Sequence, residues 1–274
     1  MPRSIVALCA IALVGVTAGC GGPDESDQSG DSQSGEYGSV EELATAMRDA
    51  SLAQESAALT IAMDGAPVGT GAIRVGEEQV DLSMTWEQDG EDRGTIRLGG
   101  VSYVDLGPEA APGKPWARVD PEAGTEVGAT ATVISFAATQ SVNSTDPVSA
   151  LAEQASAAQI VNTATEEING VQARRYDIEV DLISLAENAE AAEAAVYAMS
   201  IQAGKDTISS TMWTDETGLP VRYESQMTAP DGVVTTTAVD YAAWGEPVEI
   251  AEPSPDEVAE AGDVEALAGP TAPE

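Results

Sequence analysis

The chain has no histidine among its 274 residues, and this absence removes whole classes of chemistry. Histidine is the usual general base near neutral pH and the commonest metal ligand, so Ser-His-Asp and Cys-His nucleophilic catalysis are excluded. Cysteine is almost as scarce, with two residues, Cys9 and Cys20. Cys9 sits inside an N-terminal apolar run that reads as removable, which leaves no pair for a disulfide and no thiolate cluster. Aromatic residues are only 4% and Phe136 is the single phenylalanine. A core built from Ala, Val, Ile, Leu and Met is loosely specified by shape and suits an adaptable apolar interior as well as a plain one. Basic charge is short too, with 11 Lys and Arg against 47 Asp and Glu and a net charge of −36. Such a chain is repelled by phosphate backbones, which argues against a nucleic-acid partner, and equally by an anionic membrane surface. Long apolar runs are also missing: Ile5 to Val16, about a dozen residues, cannot cross a hydrocarbon layer of ~30 Å at 1.5 Å per residue.

That short run is nevertheless informative, because Arg3 precedes it and Thr17-Ala18-Gly19-Cys20 ends it. Positive charge, apolar core and small residues before a cysteine read as an export signal with a lipidation site. Thr17 stands where leucine is commonest. Cleavage after Gly19 would make residues 1–19 a signal peptide and Cys20 the acylated first residue, fixing the protein to the outer side of the cell membrane. Residues 20–38 are rich in Gly, Ser, Asp and Gln and suit a flexible tether. Residues 39–250 hold the periodic patterns of a folded domain, and 251–274 read as an acidic disordered tail.

Ser39 opens the folded part, because Ser39 and Glu42 form a capping-box pair and Val40, Leu43 and Met47 recur at helical spacing towards Ser56. Alternating strands follow at once. Leu59, Ile61 and Met63 oppose Thr60, Ala62 and Asp64; a second strand runs from Val68 to Val75; in the third, Val80, Leu82, Met84 and Trp86 oppose Asp81, Ser83, Thr85 and Glu87. Asp89-Gly90 and Gly99-Gly100 are turn signals flanking strands at Asp92 to Leu98 and Val101 to Leu106, which makes a five-stranded meander. Gly107 to Pro121 reads as a proline-rich loop, Val133 to Val142 as a weakly apolar helix, and Asp146-Pro147 as a helix start. Strands resume at Gln159 to Glu167 and, after Asn169-Gly170, at Arg175 to Leu182. An alanine-rich helix spans Ile183 to Ser200, and three strands close the domain between Lys205 and Trp244. Helices that interrupt antiparallel strands predict an α+β fold.

Carboxylate pairs carry no chemistry in so acidic a chain. Glu77-Glu78 and Glu166-Glu167 read as solvated turn residues, and Asp24 to Asp31 lacks the spacing of a calcium loop. No catalytic residue, cofactor or metal ligand is assigned.

Four stretches resemble a known group. They are Tyr103-Val104-Asp105-Leu106 with Gly113 to Asp120; Ile168 to Asp177; Met212-Trp213-Thr214-Asp215 with Gly218 to Arg222; and Asp240-Tyr241 with Trp244 to Val248. In order and spacing these are similar to the actinobacterial lipoproteins of the LppX, LprA, LprF and LprG type, which belong with the LolA/LolB-like carriers. The resemblance implies a strongly curved antiparallel sheet, an unclosed half-barrel, with helices packed on its concave face and an apolar cavity between the layers. It also implies binding and carriage of acylated lipid or glycolipid through the cell envelope, with no catalytic residues. The partners would be lipid acyl chains and the membrane through acylated Cys20, with any envelope exporter unnamed. The alternating residues Leu59, Ile61, Met63, Val80, Leu82, Met84, Trp86, Ile96, Leu98, Ile178 and Val180 are the lining candidates. The same residues could instead fill an ordinary core, making the protein a surface interaction or sensory module.

Overall fold

The first helix follows from its cap. The Ser39 hydroxyl accepts the Glu42 N–H at 3.2 Å, and the Glu42 carboxylate accepts the Gly38 N–H at 2.9 Å, one residue earlier than in an ordinary capping box. Helix α1 then runs over Val40–Gln54 and buries Val40, Leu43, Ala44, Met47 and Ser51, a stripe at helical spacing. It ends at Glu55, whose φ of 68° turns the chain so that Ser56 already belongs to a strand. The computed structural model describes residues 36–88, 90–107, 113–120, 146–189, 191–202, 204–228 and 234–260, all within the compact unit Ser34–Glu274. Cys20 with its signal and most of the tether, the helix expected at Val133 to Val142, and the tail from residue 261 lie outside them.

Strands β1 (Ser56–Met63), β2 (Ala66–Val75), β3 (Val80–Gln88), β4 (Glu91–Leu98) and β5 (Val101–Asp105) form the expected meander. A sixth, β6 (Trp116–Val119), lies in the stretch expected to be loop. The flanking prolines conceal it, but Ser102 to Asp105 of β5 supply it with a full set of partners. Helix α2 (Pro147–Gln154) is capped by Asp146, which accepts the Ser149 N–H at 3.2 Å. Strands β7 (Ala158–Ile168) and β8 (Val171–Asp181) are joined by Asn169-Gly170, both at positive φ as a tight hairpin turn requires.

The single helix expected over Ile183 to Ser200 is two, α3 (Leu182–Asn188) and α4 (Ala191–Gln202). Ala189 between them is extended, its N–H still donating to the Leu185 carbonyl, and the Asn188 side-chain amide donates to the Ser184 carbonyl at 2.8 Å, tying down the last turn of α3. Strands β9 (Thr207–Thr214), β10 (Pro220–Thr228) and β11 (Val234–Ala242) follow, and a short β12 (Val258–Glu260) lies in the segment expected to be tail.

All twelve strands make one sheet in the order β12-β6-β5-β4-β3-β2-β1-β11-β10-β9-β8-β7. The halves join at β1 and β11, every pairing is antiparallel except β12 with β6, and the outer strands β12 and β7 do not meet. The result is an unclosed half-barrel with helices on its inner face. Helix α1 crosses one end of it. At the helix start, the Tyr37 ring stands 5.9 Å from that of Tyr176 in β8. Further along, Arg48 hydrogen-bonds the Glu77 carbonyl, and the Val75 N–H donates to the Glu55 carbonyl at 2.7 Å. On the outer face the chain after β11 forms a strap. Its beginning is tied to β1 by the Ser56 hydroxyl, which donates to the Glu246 carbonyl at 2.7 Å; its middle buries Ile250 and hydrogen-bonds Tyr103 through Glu252; its end is β12.

Candidate apolar site on the inner face

Cross-strand register decides which side chains share the inner face, since directly paired residues point the same way. From β3 the pairings run Leu82 to Ile73 to Ala57, Met84 to Gly71 to Leu59, and Trp86 to Gly69 to Ile61. From β1 they continue through Leu59 to Tyr241 and Ile61 to Val239, then to Tyr223, Met212 and Tyr176. Two buried clusters result. One joins Ala57, Leu59, Ile61, Ile73, Val80 and Met84 with neighbouring residues of β11; the other seats Val40, Leu43 and Met47 of α1 with Leu151 of α2 on Tyr176, Ile178, Val180 and Met212.

The backbones of β2 and β3 approach closely. A Cβ on Gly69 would lie 2.5 Å from the Thr85 carbonyl oxygen, and one on Gly71 would lie 2.4 Å from that of Ser83. Only glycine allows so close an approach of two backbones.

Of the residues singled out from sequence, Leu59, Ile61, Val80, Leu82 and Met84 are buried together and Trp86 packs against them half-buried. Ile178 and Val180 are buried under α1, in the second cluster. Met63 continues the inner face of β1 but is 45% exposed at the strand's last position. Ile96 and Leu98 lie elsewhere. The β3–β4 hairpin pairs Trp86 with Arg93, Met84 with Thr95 and Leu82 with Arg97, so Ile96 faces outward beside Ser83 and Tyr103, and Leu98 outward beside Val101. Sequence reasoning missed Ile73, Tyr176, Met212, Val239 and Tyr241. Tyr176 leads the same alternation as Ile178 and Val180, and that pattern could have found it.

At the end crossed by α1 the site closes. A small cavity of about 10 Å³ lies among Ser51 of α1, Asp146 at the cap of α2 and Val148 within it, and Ile73, Val80 and Tyr241 of the sheet, room for one water-sized group. Burial, and then the charges of Asp146 and Tyr223, push the Tyr241 phenol well above its ordinary range, so it stays a neutral hydroxyl. A hollow of about 450 Å³ outside α1, lined by Tyr37, Glu41, Glu42, Thr45, Ala46 and Asp49, is open and acidic. On the outer face of the sheet's second half, ion pairs surround a small buried cluster of Ala173, Trp213 and Val221. There Arg222 donates to both carboxylate oxygens of Asp240 at 2.7 and 2.8 Å, and Arg175 pairs with Asp177 at 2.8 Å while lying over the Trp213 ring. Among the described residues no group of three or more His, Cys, Asp or Glu could hold a metal ion, and no helix is long and apolar enough to cross a membrane.

No family model matches the chain, and no curated protein does. Solved structures do match. LprF from Mycobacterium bovis is similar over 78% of this chain and 97% of its own, at 10% identity and a TM-score of 0.41. MucB, solved in complex with MucA(peri), is similar over 76% of this chain and 56% of its own, at 12% identity and a TM-score of 0.32. Likeness at this level carries no argument, and function has to come from the chain's own residues.

Proposed function

We propose that the half-barrel binds the acyl chains of a lipid or glycolipid on its inner face and carries them within the cell envelope, tethered to the outer side of the membrane by acylated Cys20. The observation that carries this reading is the inner face itself: one line of paired residues runs from Trp86 through Gly69, Ile61, Val239, Tyr223 and Met212 to Tyr176, on a sheet that does not close. Exposed apolar side chains add support. Met63 and Ile208 share the inner face and stand near strand ends, at the last residue of β1 and the second of β9, and Ile183 lies in the first turn of α3 just beyond the end of β8. Each methylene removed from water contributes about 0.8 kcal/mol, so a chain of roughly sixteen carbons has on the order of 10 kcal/mol available before ordering costs. Carriage needs no catalytic group.

Mass spectrometry of an organic extract of the purified protein tests the proposal. Acylated amphiphiles in stoichiometric amount are expected. An extract without them, from a protein that also fails to bind a fluorescent fatty-acyl probe, would sink it. A second reading has its own observation, the small size of the 10 Å³ cavity beside α1, which fits a half-barrel filled by its own side chains and serving as an interaction or sensory module. That negative pair of results selects it.

A further inference from the structure

The inner face of β4 is not apolar. Its residues there are Arg93, Thr95 and Arg97, set opposite Trp86, Met84 and Leu82 on one side and, for Thr95 and Arg97, opposite Val104 and Ser102 on the other. Two guanidinium groups and a hydroxyl interrupt a surface otherwise built mainly from aliphatic and aromatic side chains.

The described arginines differ in how they are engaged. Arg74 pairs with Asp81, Arg93 with Glu91, Arg118 with Asp120, Arg174 with Glu36, Arg175 with Asp177 and Arg222 with Asp240, while Arg48 donates to the Glu77 carbonyl. Arg97 is the exception. Half-buried on the inner face, it has no hydrogen bond or ion pair with any described residue, in a chain that carries 47 carboxylates. Two positions away, about 7 Å along the same face of the strand, Thr95 is fully buried and its hydroxyl has no hydrogen-bond partner. Among the described residues neither group has a partner, yet buried hydroxyls are nearly always satisfied and partial burial of an unpaired guanidinium is costly. Both costs fall together if the same ligand meets both groups.

We propose that Arg97 and Thr95 form a subsite for an anionic headgroup, a phosphate or carboxylate, whose acyl chain lies along the neighbouring aliphatic face. This rests on the acyl-binding reading and narrows its ligand to anionic amphiphiles. Guanidinium is the side chain best matched to a planar carboxylate or a phosphate face, because it offers paired donors in a fixed fork. The net charge of −36 repels anions at a distance, but screening confines that repulsion to roughly 8 Å at physiological salt, and recognition then belongs to the local cation. Met84, beside Thr95, and Leu82, beside Arg97, are both buried in the first cluster, which sets the polar pair at the border of the apolar face.

Isothermal titration of the purified chain tests this with dodecyl phosphate, dodecyl maltoside below its micelle concentration, and inorganic phosphate. Dodecyl phosphate is expected to bind about 10- to 100-fold more tightly than the maltoside, the range of a charge-assisted hydrogen bond. In Arg97→Gln that preference should collapse towards parity with maltoside affinity unchanged, and Thr95→Val should reduce it in part. Arg97→Lys, which keeps the charge without the fork, should retain an intermediate preference and guards against a folding defect in the glutamine variant. Equal affinity for the two detergents, or an Arg97→Gln variant that weakens both alike, overturns the subsite and leaves the acyl-binding reading standing. Failure of every amphiphile to bind overturns both. Inorganic phosphate binding as tightly as dodecyl phosphate, and lost in Arg97→Gln, keeps the anion subsite while removing the acyl chain from its ligand.

Discussion

At the scale of single residues, two positions hold the sheet in its shape for opposite reasons, one by having no side chain and one by having its side chain fully engaged. Gly71 lies where a Cβ would meet the Ser83 carbonyl oxygen at 2.4 Å, a backbone atom that cannot step aside without unpairing β2 from β3. Gly71→Val should therefore destabilise the protein by about 2 kcal/mol or more, in the upper range of overpacking costs. Urea denaturation measures this, and an unchanged midpoint would mean that the β2–β3 pairing has slack. Asp177 faces outward from β8. Burial alone would raise its pKa, but hydrogen bonds from Asn162 and Thr211 and the charge of Arg175 outweigh that and hold it below the usual carboxylate range. A carboxyl lowered in the folded state stabilises above its unfolded pKa, and that stability is lost as pH falls through the folded value. The stability gap between wild type and Asp177→Asn should hence be full at neutral pH and narrow below about pH 4. Acid titrations followed by circular dichroism should show it, and a gap independent of pH would assign the loss to packing instead.

At the scale of elements, the strap after β11 decides how well the first half of the sheet is held. Strand β6 has only four paired residues with β5, whereas β8 is paired along most of its length on both sides. What reinforces β6 is β12, with Ala259 buried against Val104 and Ala117, while Glu252 anchors the strap to Tyr103. Removing residues 249–274 should accelerate amide exchange in β5 and β6 and leave β8 and β9 protected, because local opening follows the loss of local contacts. Exchange measured by mass spectrometry distinguishes this from uniform loosening, which would show that the strap supports the whole fold.

At the scale of the whole molecule, the α+β half-barrel was legible because its strands alternate cleanly and their turns carry strong signals, as Val80 to Glu87 and Asn169-Gly170 show. The inner wall was only partly legible. Alternation divides a strand into two faces without saying which is inner, and β4 is the costly case. Its apolar set, Ile96 and Leu98, points outward beside Tyr103, on the face the strap crosses, while its polar set, Arg93, Thr95 and Arg97, points in. Only the pairing across the β3–β4 hairpin decides this, and the partner that makes an apolar outer face tolerable arrives more than a hundred residues later. Strands β6 and β12 were invisible for the same reason: four or three residues have no period of their own, and their pairing is long-range. The break at Ala189 carried no glycine or proline to announce it.

The way the chain enters the fold has a mechanical consequence. Its first described residues, Glu36 and Tyr37, grip Arg174 at 3.5 Å and stand against Tyr176, both on β8. Tension applied through the N-terminal segment would thus be loaded first onto β8, which has a hydrogen-bonded neighbour on each side, and onto the outer-face ion pairs around Asp177 and Asp240. The close pairing of β2 with β3 lies across the sheet from that point of attachment. A domain hung this way takes a pull on β8 before the far half of the sheet feels it.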